Sequence, residues 1–148
     1  MLRTVLAVLL ATALLGLALP VVDDARVSHA DSQVQSQLDS LDTATEALYA
    51  ESDPALPGAP GARIERTLVL PTESWGTARL ERLRIPAQTD GRIRWRVSGG
   101  TTQTAHLTPP LVAPPEGLVL RDGGPHRLTL SLERRGGDAV IVVTRADV

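Results

Sequence analysis

The chain opens with an unbroken apolar segment. From Thr4 to Val22 no side chain is charged. Folded as a helix, this segment would be about 28 Å long, because each helical residue adds about 1.5 Å. The hydrocarbon core of a bilayer is about 30 Å thick. Residues 1–22 are therefore predicted to form a membrane anchor that spans a lipid bilayer once.

The flanking charges predict the orientation of this anchor. Arg3 precedes the apolar run, and Asp23 and Asp24 follow it. Because positive charge stays on the cytoplasmic side, we expect a cytoplasmic N-terminus and a C-terminal part outside the cell membrane. The alternative is a signal peptide, cleaved after Gly16-Leu17-Ala18, and a secreted protein. The retained anchor is favoured because the apolar run continues beyond that cleavage site.

Pro20 lies near the outer end of the anchor. Its ring and its missing N–H predict a kink within one long helix. Alternatively, Pro20 ends the membrane helix and a second helix begins at Asp23, since carboxylates suit a helix N-terminus. The sequence leaves both interpretations open.

An amphipathic pattern follows in residues 23–52, which contain neither Gly nor Pro. Its apolar seam consists of Val27, Val34, Leu41 and Leu48, at seven-residue intervals. Such spacing predicts a helix with one apolar face. The opposite face is expected to carry Asp31, Gln35, Asp39, Asp42 and Glu46.

This seam can serve as an interaction surface for another helix, or it can pack on the protein's own sheet. A helix that pairs with a partner in a coiled coil needs a continuous apolar seam. Gln37 interrupts the seam, and most amphipathic helices cover their own core. Packing on the protein's own sheet is therefore favoured.

Period-two alternation dominates the remainder of the chain, after a Pro- and Gly-rich linker at residues 53–62. The segment Arg92–Val97 alternates cleanly, and a slip between Leu80 and Leu83 indicates a β-bulge. Short connections predict an antiparallel β-meander domain at residues 63–148. With the long N-terminal helix covering one face, the fold class is α+β. Strands are expected at residues 64–70, 78–85, 92–97, 101–107, 117–120, 127–133 and 139–144.

The composition excludes several kinds of chemistry. The absence of Cys and Lys rules out thiolate nucleophiles, disulfides and Schiff bases. His29, His106 and His126 lack metal-ligand spacing, and Ser28 and His29 are adjacent on a helix and cannot form a catalytic pair. No enzyme activity, cofactor, metal or small-molecule substrate is expected. A net charge of −2 and 2% aromatic residues also argue against nucleic acid as a partner.

Arginines form the one conspicuous charge cluster. One interpretation is contact with anionic lipid headgroups, an acidic partner or a polyanion. The other is a solvated sheet face, which is favoured because such a face requires alternating polar residues. Trp95 is then expected in the core, and Trp75 either in the core or at an interface. The cluster comprises Arg79, Arg82 and Arg84 together with the candidate interaction residues Arg92, Arg94 and Arg96.

The succession of apolar run, amphipathic helix, linker and strands resembles a type IV pilin-like subunit. More closely, MLRTVLAVLLATALLGLALPVVDDAR and RLTLSLERRGGDAVIVV resemble a haloarchaeal membrane-anchored family associated with pilus-type secretion machinery. The resemblance implies protein partners in a membrane assembly. Pilin subunits carry a carboxylate inside the apolar run, and this chain does not. The implied role is therefore a minor or accessory component.

The function expected from the sequence is that of a single-pass membrane protein acting through protein–protein contacts. Its expected partners are the lipid bilayer and other proteins of a membrane assembly. The alternative is a secreted or surface β module that binds a ligand or polymer after signal-peptide cleavage. The N-terminus of the mature protein separates the two functions.

Overall fold

The computed structural model describes residues 2–56, 59, 61–87 and 91–146. Within these residues, one helix precedes eight strands, which confirms the α+β layout. The elements are α1 (Leu2–Glu51), β1 (Arg63–Leu70), β2 (Leu80–Ile85), β3 (Arg92–Val97), β4 (Gln103–His106), β5 (Leu111–Val112), β6 (Leu118–Leu120), β7 (Gly124–Arg135) and β8 (Asp138–Arg145).

Helix α1 runs through both the apolar and the amphipathic segments without interruption. Pro20 lies inside it, so no separate helix begins at Asp23. The residues that follow Pro20 up to Glu51 include no Gly or Pro, and they continue the helical hydrogen bonding. The helix ends just before Asp53-Pro54, as expected where a proline disfavours helical geometry at the preceding residue.

The strands form two four-stranded sheets rather than one meander. Sheet I has the order β1-β7-β8-β5, and sheet II has the order β4-β3-β2-β6. The consecutive strands β3 and β4 pair as an antiparallel hairpin, as do β7 and β8, which agrees with their short connections. However, β1 pairs with β7 over its whole length, and β5 pairs with β8 in parallel. The meander expectation is therefore wrong in its strand order.

The chain leaves sheet I directly after β1. Pro71 directly follows β1, has no N–H to donate and ends the strand. The chain then crosses to sheet II, where the Leu80 N–H donates to the Pro71 carbonyl at 3.2 Å. The predicted bulge is confirmed by a register shift between Leu80 and Arg82. Strand β5 was not predicted, because prolines flank it on both sides.

One hydrophobic core joins both sheets to the second half of α1. Alternate residues of the strands are buried, including Leu83, Ile93 and Leu130, which are 0% exposed. The seam of α1 belongs to the same cluster. Fully burying one such aliphatic side chain contributes about 1.5–3 kcal/mol. Packing of the seam on the protein's own sheets is thus confirmed.

The described part of the predicted linker extends sheet I. Ala55 forms a parallel bridge with Glu133. Its N–H donates to the Leu132 carbonyl at 3.2 Å, and its carbonyl accepts from the Arg134 N–H at 2.7 Å. These bonds fix the chain just beyond α1 against β7. Three residues of the predicted linker lie outside the described residues, namely Pro57, Gly58 and Pro60.

Candidate interaction surface

The first half of α1 presents an apolar surface on all sides. Over the apolar window of the helix, 0% of the residues are buried. Leu9 is 62% exposed, Leu14 60% and Leu17 72%. The Thr12 hydroxyl donates to the Val8 carbonyl at 2.8 Å, so it is satisfied within the helix. The predicted span from Thr4 to Val22 is therefore long and apolar enough to cross a membrane.

The predicted helix seam does not form an exposed interaction surface. Val34, Leu41 and Leu48 are 0%, 3% and 5% exposed, respectively. Val27 is partly buried and packs against the same core. The seam is therefore not an interaction surface for another helix, because the two sheets of this chain already cover it.

Polar contacts reinforce this packing along the helix. The Trp95 indole N–H donates to Asp31 Oδ1 at 2.9 Å, and the Val69 N–H donates to Gln37 Oε1 at 3.0 Å. The Thr108 N–H donates to Asp42 Oδ1 at 3.1 Å. Two of these tethers fix α1 to β3 and β1, one strand of each sheet, and the third fixes it to the chain between β4 and β5.

Two of the tethering residues were expected on the solvent side of the helix. Asp31 and Asp42 are instead half-buried. Asp31 precedes Val34 by three positions, and Asp42 follows Leu38 by four. Residues at these intervals are neighbours on a helix surface, so both flank the seam. That spacing was the available signal for their role.

An arginine face covers the outer side of sheet II. It comprises five exposed side chains: Arg82, Arg84, Arg92, Arg94 and Arg96. In the register of β2 and β3, Arg82 lies opposite Arg96, and Arg84 lies opposite Arg94. Like charges directly opposite each other destabilise an antiparallel pair. Glu81 offsets part of this repulsion through an ion pair with Arg96 at 3.3 Å.

Strand alternation separates the arginine face from the helix seam. In β3, Ile93, Trp95 and Val97 are buried, and the intervening arginines are exposed. Trp95 is only 4% exposed, which confirms its expected place in the core. The two residue sets predicted to form an interaction surface therefore do not meet: one is internal, and the other is external.

An acidic groove lies between α1 and the edge strand β4. Its volume is about 810 Å³, and its walls include Asp24, Asp31 and Asp39 on the helix and His106 on the strand. The protein thus presents two separate surfaces of opposite charge, the arginine face on sheet II and this groove beside the helix.

The turn at residues 73–77 is attached to α1 just beyond the apolar run. The Arg26 guanidinium donates to the Ser74 carbonyl at 2.9 Å. His29 Nδ1 lies 3.1 Å from Thr77 Oγ1. Between these two attachments, Trp75 is 92% exposed. Trp75 is therefore not part of the core.

One known protein family matches the helix and both sheets together. A family model described as a domain of unknown function, DUF7311, matches residues 1–146. The chain belongs to the DUF7311 family. The matched region includes the apolar run as well as both sheets, so the DUF7311 pattern extends over the whole α+β arrangement. No curated protein and no solved structure matches the chain.

The histidines of this DUF7311 chain make separate local contacts. His29 binds the turn at residues 73–77, and His126 Nε2 lies 2.7 Å from the Asp122 carbonyl oxygen. His106 is opposite Arg92 in the β3–β4 pair. Among the described residues, no group of three or more His, Asp or Glu side chains could hold a metal ion.

Proposed function

We propose that this chain is a single-pass membrane protein that holds a β domain at the outer face of the cell membrane. It acts there as a structural or accessory component through protein–protein contacts. The observation that carries the proposal is the dual composition of α1. The first half of this one helix is apolar and exposed on all sides, whereas the second half supplies part of the core.

An exposed apolar helix of this length needs a nonaqueous environment. Large apolar patches on a water-soluble monomer are rare, and the exposed part of α1 matches the thickness of a bilayer. The proposed orientation follows from Arg3 on one side and the Asp23-Asp24 pair on the other. It places both sheets outside the cytoplasm.

The tethers favour a fixed position of the β domain over a freely hanging one. Asp31 and Gln37 bond to β3 and β1, and Asp42 bonds to the Thr108 N–H between β4 and β5. No flexible segment intervenes between membrane anchor and core, because both belong to one helix. Such a construction suits a component that must present one surface in a defined direction.

The arginine face is the surface that we assign to protein contact. Opposed arginines cost stability within the domain, and an acidic partner would offset that cost while steering association. Together with the pilin-like order of segments, this favours an accessory place in a pilus- or secretion-type assembly. The buried seam is excluded from that contact.

The test is the N-terminal mass of the native protein, measured separately in cell membranes and in the medium. We expect an intact apolar segment in the membrane fraction and removal of the β domain by protease added outside intact cells. A protein that starts near Leu19 and is recovered from the medium would refute the membrane anchor. That result would favour the secreted β module.

The protein-contact part is tested by cross-linking in the same membranes. Arg84→Glu combined with Arg94→Glu should abolish the cross-linked partner, because both substitutions reverse charge on the arginine face. Arg66→Glu is the matched control, since Arg66 is exposed on β1 of sheet I. Equal cross-linking in all variants would refute the arginine face as the contact surface.

A further inference from the structure

One of the two tryptophans is left outside the core. The side chain of Trp95 is buried, whereas that of Trp75 is 92% exposed. An aromatic side chain buries about 150–250 Å² when it is covered. The turn around Trp75 is not loose, because Ser74 and Thr77 form an isolated bridge. The fold therefore holds a large apolar side chain in an exposed position.

The attachment of this turn places Trp75 close to the end of the apolar run. Arg26, which binds the Ser74 carbonyl at 2.9 Å, is four residues beyond Val22, a rise of about 6 Å along the helix. The headgroup region extends roughly 5–8 Å beyond each side of the hydrocarbon core. A span tilt of about 20° would bring one side of the domain still closer to the bilayer.

Lipid headgroups are the environment that suits this residue at this height. Tryptophan is enriched at membrane–water interfaces, where its ring is partly dehydrated and its N–H finds polar partners.

We infer that Trp75 inserts into the headgroup region of the outer leaflet and forms a second membrane contact of the β domain. This inference rests on the proposed membrane anchoring by α1. Two contacts, the span and the Trp75 turn, restrict tilt and rotation of the domain more than the span alone. The turn at residues 73–77 thereby determines which side of the domain faces the membrane.

Depth-dependent quenching tests this contact. The full-length chain is reconstituted into phosphatidylcholine vesicles that carry bromine either near the headgroup or deep in the acyl chain. We expect loss of Trp75 emission with shallow bromine, a smaller loss with deep bromine, and a blue shift relative to detergent solution. Trp75→Phe should remove both the quenching and the shift, because Trp95 is then the sole tryptophan.

The Trp75→Phe chain is a suitable control because an exposed side chain contributes little to folding. Its Trp95 bonds to Asp31, nine residues and about 14 Å beyond Val22 along the helix. Protease treatment of the same vesicles reports separately whether α1 spans the bilayer.

The outcomes separate this inference from the proposed function. A protease-protected span with unquenched Trp75 would overturn the lipid contact and leave the membrane anchor intact. A chain that stays in solution would refute both. Trp75 that changes its emission only in native membranes, and not in pure lipid vesicles, would overturn the lipid contact in favour of a protein partner.

Discussion

The two halves of α1 share one backbone conformation and differ in what surrounds them. Residues 2–22 carry apolar side chains around the whole helix, and all of the described ones are exposed. Residues 23–51 bury one apolar face, on which Leu38 and Leu41 are 2% and 3% exposed. The first half has no preferred side, whereas the second half has an inner and an outer side.

This difference indicates that the distribution of apolar residues around a helix matches the surroundings of each of its faces. In the proposed membrane anchor the surroundings are uniform around the helix axis, so the first half needs no polar face. The second half borders two sheets on one side and water on the other. Three pairs of substitutions, each a test and its control, probe this comparison.

The largest expected effect is on the stability of the β domain. Leu38→Ala should lower its free energy of unfolding by about 2–5 kcal/mol, because it leaves a cavity in the core. Leu14→Ala, the same substitution in the first half, should change that free energy by less than about 0.5 kcal/mol. Urea unfolding in detergent, followed by circular dichroism, measures both. Equal losses would contradict the division of α1 into two environments.

A charge in the first half should reduce membrane insertion and leave the stability of the β domain unchanged. Leu14→Asp places a carboxylate near the middle of the span and should oppose insertion by about 2.5–3.5 kcal/mol. The fraction of protein recovered in membranes should fall, while urea unfolding of the β domain should not change. Ser40→Asp, on the exposed side of the second half, is the control. A Leu14→Asp protein that is still fully membrane-bound would argue against the span.

The smallest effect is expected at a polar tether. Asp31→Ala leaves the Trp95 indole N–H without its acceptor and should cost about 1–3 kcal/mol of unfolding free energy. Asp39→Ala removes a carboxylate from an exposed position of the same helix and should cost no more than about 0.5 kcal/mol. If the two variants unfold at the same urea concentration, the Asp31 tether contributes nothing.

Local patterns in the sequence predicted local structure well. The alternation of Arg92–Val97 predicted β3 with its correct buried side, and the slip after Leu80 predicted the bulge. Hairpin β7–β8, whose strands were expected, turns at Gly136 and Gly137, which both have positive φ. These features depend on residues that are close together in the chain. The alternation of apolar and polar residues and the type of turn residue are therefore sufficient to predict them.

The sheet order could not be predicted in the same way. Pairing of β1 with β7 joins Leu70 to Gly124, and no periodicity reports a contact across such a separation. Short connections predict that consecutive strands are neighbours, but the chain passes from β1 in sheet I to β2 in sheet II. The tethers at Asp31 and Asp42 were missed because their partners, Trp95 and the Thr108 N–H, lie far away in the sequence.

The continuity of α1 through residues 23–26 links rotation of the proposed membrane span to the direction in which the β domain faces. A helix turns by about 100° per residue, so the four residues between Val22 and Val27 set the azimuth of the arginine face about the membrane normal. If two copies packed their spans through the same helix face, symmetry would orient their arginine faces in related directions. In such an assembly, the number of helical residues between the span and the β domain would therefore determine the directions in which the arginine faces point.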